Sequence, residues 1–380
     1  LRALVIAGLV AAWSTRAAAY PQYQLSSGSV RCSQCHIAPA GGGLLTPWGQ
    51  SEAGDTIARG GNGAFLHGAV TLPEWLTIGG EFRVAALANA VGGTAGTEVA
   101  AFPMQADVGV RIGSGAWSVV GVVGARGAVR SGSPTSPASI ATDISGPSLG
   151  SYAVSREHYA MWKPEDTGPY VRAGRFAAPY GLRLADHTTY IRADLGYNLL
   201  EETYGVGGGW LSDDWELHAT AFVYDPIQFA VRKDVGGAVM FERHASQSLV
   251  LGSSARIGFG AEDTRISAGV HGKLWVDDAH VMVLAELDGV HQKFEAGSPR
   301  WQAVGYAGPV WLPARGVYTG LAYEVFAEDL HVRNVTRQAV DAWLSYLPKA
   351  HLELAISGRG QRLGPTEHAY VGLVQVHYSL

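Results

Sequence analysis

The sequence predicts an all-β chain whose antiparallel strands close into a transmembrane barrel, on three observations. Apolar and polar residues alternate at period two over most of the chain beyond position 74. Glycine accounts for 50 of 380 residues, about twice the usual ~7%, and charged residues fall to 16%. Beyond the N-terminal stretch no run approaches the ~18 apolar residues of a spanning helix.

Residues 1–19 read as a secretory signal peptide: a short apolar run of Ala, Val, Leu and Ile is followed by Ala17, Ala18 and Ala19. The mature chain is then expected to start near Tyr20 and to meet the bacterial periplasm.

Residues 20–73 carry the most specific motif. Cys32-Ser33-Gln34-Cys35-His36 is a C-x-x-C-H box, the signature of covalent c-type haem attachment. Two thiols three positions apart reach the two vinyl groups of one haem, and the adjacent imidazole turns onto the iron as proximal ligand. A thioredoxin-type disulfide normally comes with a βαβ pattern, which is missing here, and a structural zinc site needs four ligands. The expectation is one haem c held by Cys32 and Cys35, with His36 on the iron. The distal ligand stays open. His67 would give a bis-His haem of lower potential than His/Met, but it reads equally well as a solvated loop residue. Met104 from a strand, or no protein ligand, are the alternatives. The segment is rich in Gly and Pro and too short for a core of its own. Trp48 is available to pack on the porphyrin or on the barrel.

Residues 74–380 read as about sixteen strands, an even number as single-chain outer-membrane barrels have. Ser267, Gly269, His271 and Lys273 share one face of a strand, and Ile266, Ala268, Val270 and Leu274 the other. A membrane barrel turns the apolar face to lipid and the polar face to a lumen, expected here to be aqueous. Lumen candidates are Glu81, Arg83, Asp107, Arg111, Glu216, His218, Arg265, His271, Lys273, Glu353 and Arg359. Trp162, Trp210, Trp215, Trp275, Trp301, Trp311 and Trp343 are expected at strand ends, as interfacial girdles. Residues 131–150 read as a flexible loop, and 186–202 as a second excursion folding inward. Arg172 and Arg175 are candidate clamps for haem propionates.

The net charge of −5 removes the broad attraction that a nucleic-acid binder needs. Neither a nucleophile–base pair nor a phosphate-cradling loop is present. Sizes argue that the two parts work together. A haem on the periplasmic side of a ~25 Å apolar band cannot serve an outside donor, whereas one held in the lumen shortens both gaps.

An export leader, one C-x-x-C-H box early in the mature chain and a porin-like barrel together resemble the fused monohaem cytochrome–porins. That family includes the outer-membrane iron oxidases of iron-oxidising bacteria. The run Ser33-Gln34-Cys35-His36, then Pro39, then Leu45-Thr46-Pro47-Trp48-Gly49 is similar to the family's haem segment. Gly174-Arg175-Phe176, Pro179-Tyr180-Gly181-Leu182-Arg183, Asp186-His187-Thr188 and Arg192 resemble a segment of phosphate-selective-type porins. The resemblance implies a bacterial outer-membrane conduit that passes single electrons from an extracellular donor such as Fe(II) to a periplasmic carrier. That is electron transfer rather than bond-making chemistry. Residue by residue it carries over to Cys32, Cys35 and His36 alone. The alternative is a diffusion porin with a structural or sensory haem. Many porins form homotrimers, though nothing in the sequence fixes the assembly.

Overall fold

A computed structural model describes residues 21–91, 97–125, 153–184, 186, 188–195, 202–225 and 233–380. The expected signal peptide, the loop 131–150 and part of the excursion 186–202 lie outside the described residues. None of the described helices is long and apolar enough to cross a membrane.

Sixteen strands form one closed antiparallel barrel, as the alternation predicts. They are β1 Leu76–Val91, β2 Glu98–Ser114, β3 Trp117–Ala125, β4 Ala153–Trp162, β5 Gly168–Phe176, β6 Thr203–Leu211, β7 Trp215–Val223 and β8 Asp234–Ser246. The circuit continues through β9 Leu249–Gly260, β10 Asp263–Val276, β11 Val281–Phe294, β12 Arg300–Ala314, β13 Val317–Ala327, β14 Thr336–Lys349, β15 Leu352–Arg362 and β16 His368–Ser379. The seam joins β1 to β16, with Glu81 opposite Ser379 and Arg83 opposite His377.

Side-chain direction follows the period-two reading. On β10, Ser267, His271 and Lys273 are buried inside, while Ile266, Val270 and Leu274 are exposed on the outer wall. Val119, Val206, Leu251, Leu287, Leu321 and Ile356 extend the same exposed apolar wall around the barrel. A closed ladder with an apolar exterior satisfies its backbone internally and meets lipid outside. The protein is thus an outer-membrane barrel.

The two ends differ. At one end the turns are short, at 115–116, 212–214, 247–248 and 350–351. At the other, the connections run over 177–202 and 328–335. Short turns mark the periplasmic end of such barrels. Trp162, Trp210, Trp215, Trp275 and Trp311 lie at strand ends on the short-turn side, and Trp301 starts β12 at the opposite rim. Trp343 departs from the girdle expectation: it sits within β14, opposite Gly320, which has no side chain to obstruct the indole.

The lumen is not aqueous throughout: the N-terminal segment fills part of it, in keeping with a segment held inside the barrel. A buried apolar core joins Tyr23, Leu25 and Ile57 of the N-terminal segment to Tyr180, Leu182 and Tyr190 of the β5–β6 connection. Its third side is the barrel wall itself, at Val304, Val310, Tyr318 and Phe326. On β12 both faces are apolar, Val304, Tyr306 and Val310 inward and Trp301 and Trp311 outward. Alternation cannot tell lumen from lipid on such a strand.

The N-terminal segment is tied to the short-turn end by backbone as well as side chains. The Arg59 N–H donates to the Leu347 carbonyl at 2.9 Å, and the Ala350 N–H to the Gly60 carbonyl at 2.6 Å. The Tyr318 hydroxyl donates to the Ile57 carbonyl at 2.8 Å. Arg31 reaches the Ser212 carbonyl at 2.8 Å and the Asp213 carboxylate at 3.2 Å.

Candidate functional site: a lumenal cavity around the cysteine–histidine box

The box is a single helical turn, Cys32–Cys35, entered from extended Arg31 and left through extended His36. Its start is capped by Gln34, whose side-chain oxygen accepts from the N–H groups of Val30 and Arg31 at 2.8 and 3.0 Å. One turn of helix places positions i and i+3 on the same side, so both sulfurs fall along one face. The His36 N–H donates to the Cys32 carbonyl at 2.9 Å, and a bridge to Leu45 holds the strand that follows.

The Leu45-Thr46-Pro47-Trp48-Gly49 run has a mechanical reading. The Thr46 N–H donates to the Cys35 carbonyl at 2.9 Å, and Thr46 caps the helix Pro47–Glu52 by accepting from the Gly49 N–H at 3.0 Å. Gly49 then lies directly on the box: a Cβ there would fall 2.3 Å from the Cys35 carbonyl oxygen. Backbone on both sides leaves no flexible group to yield. Gly49→Ala is therefore expected to displace the box and to destabilise the N-terminal segment by about 1–3 kcal/mol. Protease susceptibility of that segment checks this, and unchanged cleavage would refute the packing role.

Cys32, Cys35 and His36 all line one cavity with about 1610 Å³ of unfilled space, part of it open to solvent. Its walls come from three sources. The N-terminal segment gives Tyr23, Leu45 and Ile57, the β5–β6 connection gives Arg183, Leu184 and Arg192, and the strands give Glu81, Arg83, Asp107, Arg156, Met240, Glu242 and Lys273. Gly41, Gly42 and Gly43 have left-handed backbone, at φ +83°, +82° and +67°, which favours glycine. A Cβ on Gly41 would meet the Cys32 side chain at 3.2 Å, so this stretch keeps side chains away from the thiol.

The thiols are free and poorly ionised. Burial pushes Cys32 up to about 12, against the opposing pull of Lys273, and Cys35 up to about 11, against a hydrogen bond from Ser29. A thiol–disulfide exchange centre requires the opposite, a stabilised thiolate. Two neutral sulfurs, an imidazole, apolar walls and nearby guanidinium groups are instead the donor set that a covalently held haem needs. Cys32, Cys35 and His36 would hold it, and Arg31, Arg83 and Arg192 are at hand for its carboxylates.

Other sequence candidates are placed elsewhere. His67 does not line the cavity. It packs edge-on against His351 with centroids 4.1 Å apart, and its backbone is left-handed at φ +58°. Met104 is the extra residue of a bulge, since Arg83 pairs with Gln105 and Val84 with Pro103. It too is outside the cavity lining. Trp48 is 40% exposed and turns away from the cavity. Arg175 is committed to Asp225 at 2.8 Å and Glu202 at 3.3 Å, and Arg172 covers the Phe176 ring at 3.9 Å. Neither belongs to the cavity wall. All the lumen candidates on the strands do lie on the inner face, with ion pairs such as Arg359 to Glu324 and Asp341, both at 2.7 Å. Sequence reasoning missed Met240, which is buried on β8 and is the methionine that reaches the cavity.

No protein-family model matches the chain, and no curated protein matches it. Solved structures do. An anion-selective porin from Comamonas acidovorans superposes with a TM-score of 0.58 at 9% identity, covering 80% of this chain and 99% of the porin. The outer-membrane channel DcaP of Acinetobacter baumannii gives 0.58 at 12% identity, over 80% and 97% of the two chains. The trimer form of OmpT, an outer-membrane protein of Vibrio cholerae, gives 0.56 at 12% identity, over 80% and 99%. At these identities the likeness is one of fold: the closed sixteen-strand barrel matches those of outer-membrane porins.

Proposed function

We propose that the protein is an outer-membrane electron conduit that carries one covalent haem c in its lumen. It passes single electrons between an extracellular donor, such as Fe(II), and a periplasmic carrier. The observation that carries this reading is the convergence of Cys32, Cys35 and His36 on one lumenal cavity. When bound, the haem supplies a one-electron couple whose potential is set by ligation, burial and nearby charge.

The chain's own residues do the rest. Cys32 and Cys35 would tether the group and His36 would ligate its iron, and the turn capped by Gln34 and Thr46 fixes the three in relation to one another. Met240, on the same cavity wall, would be the methionine at hand as a second ligand. Apolar walls from Tyr23, Leu45, Ile57 and Leu184 exclude water. Arg183 spans two walls, donating to the Gly41 carbonyl and pairing with Glu157 at 3.7 Å.

A second reading is favoured by the porin-like barrel: a diffusion channel whose haem is structural or sensory. The porin neighbours support this reading more directly than the first. The trimer form of OmpT makes a homotrimer the assembly to look for under either. Haem-loaded protein in vesicles enclosing a redox dye separates the two. Fe(II) added outside is expected to reduce the dye through the conduit, with the haem reduced on the way. If no external donor reduces the haem, the conduit fails and the channel stands.

A further inference from the structure

Where the cavity meets β7 and β8, the barrel wall holds a second cluster that the electron-conduit reading does not use. Glu216 on β7 and Glu242 and His244 on β8 are all buried, and their ligating atoms lie within 4.8 Å of one another. Glu216 is fully buried, and its carboxylate oxygens find no N–H donor at hydrogen-bond distance among the described residues. The Glu242 carboxylate faces it from the paired strand, close enough to share a proton, and His218 Nε2 and His244 Nε2 stand at 3.5 and 3.9 Å. A charge-assisted hydrogen bond closes to ~2.7–2.9 Å, so these gaps are too wide for imidazolium–carboxylate pairs. Two ligands of one ion, each ~2.0–2.2 Å from it, stand about 3–4 Å apart.

The tautomers agree. His244 Nδ1 faces the Asp213 carbonyl at 3.1 Å. A carbonyl only accepts, so Nδ1 carries the proton and the Nε2 lone pair points at Glu216. Ligating histidines are held in this way by their second nitrogen. On Glu242, one oxygen takes Lys273 and His271, each at 2.7 Å, which leaves the other without an N–H donor. Lys273 thus balances Glu242, and no arginine or lysine pairs with Glu216 among the described residues.

We propose that Glu216, Glu242 and His244 bind one divalent first-row cation of the Zn²⁺, Fe²⁺ or Mn²⁺ type, the class that carboxylate and imidazole ligands select. Glu242 also lines the lumenal cavity, which gives the ion its way in. The proposal stands without the haem, because no cysteine or His36 takes part.

The test uses the full-length barrel, free of affinity tags, equilibrated with Zn²⁺ and then dialysed. One zinc per chain is expected. Glu216→Gln and His244→Gln should each lower occupancy at least ten-fold, with the far-ultraviolet strand spectrum unchanged. Wild-type protein that retains no zinc, with an infrared band for a protonated buried carboxyl, would mean that a shared proton fills the cluster and would overturn the proposal. So would variants that keep full occupancy. Should either variant fail to assemble, X-ray absorption of zinc-loaded wild type decides. An oxygen/nitrogen shell with one imidazole supports the site, and sulfur in the shell refutes it.

Discussion

Replacing both Cys32 and Cys35 by Ala is expected to abolish haem staining of the denatured polypeptide, while the single variants keep a reduced signal through the remaining thioether. The effect is close to all-or-none because these are the chain's two cysteines and both line the same cavity. Once the protein is unfolded, nothing but a covalent bond retains the group. Staining that survives in the double variant would end the attachment reading, and with it the conduit. The barrel should still form, since its sixteen-strand circuit closes without either residue.

The second large effect concerns ion flow. The N-terminal segment and the β5–β6 connection share a buried core inside the lumen, so the intact protein is expected to give only small conductance steps in planar bilayers. A barrel lacking residues 21–73 should conduct at least ten-fold more per channel. Removing Tyr23, Leu25 and Ile57 strips one side of that core, and Tyr318 loses the carbonyl it donates to. Large, steady steps in the haem-loaded intact protein would instead favour the diffusion channel.

Much of this was legible in the sequence, and the gaps have physical causes. Alternation on strands such as β10 identified both the barrel and its inner face, because a period of two leaves one assignment when one face is polar. It failed on β12, where both faces are apolar. The C-x-x-C-H box was legible because its chemistry needs fixed local spacing. A distal ligand has no such constraint. His67 was the nearest candidate in sequence, but a left-handed turn carries it to His351. Met240 comes from a strand far along the chain, and only the closed register of sixteen strands brings it to the cavity. One signal was available: Met240 shares the inward face of β8 with Glu242 and His244, so it is an apolar residue on a polar stripe. The arginines divide similarly. The porin-like motif drew attention to Arg172 and Arg175, which brace the barrel, while its other arginine, Arg192, is the one that reaches the cavity, and Arg31 lay outside any motif.

The seam between the first and last strands has a bearing on biogenesis. Glu81 and Arg83 of β1, together with Ser379 and Leu380 at the end of the chain, form part of the cavity wall. Backbone hydrogen bonds between Gly80 and Leu380 pin the seam shut, at 3.1 Å in one direction and 2.5 Å in the other. That wall does not exist until β16 has met β1. Closing the sheet and completing the cavity are therefore one event, and a barrel whose seam stands open has no enclosed cavity for any ligand to fill.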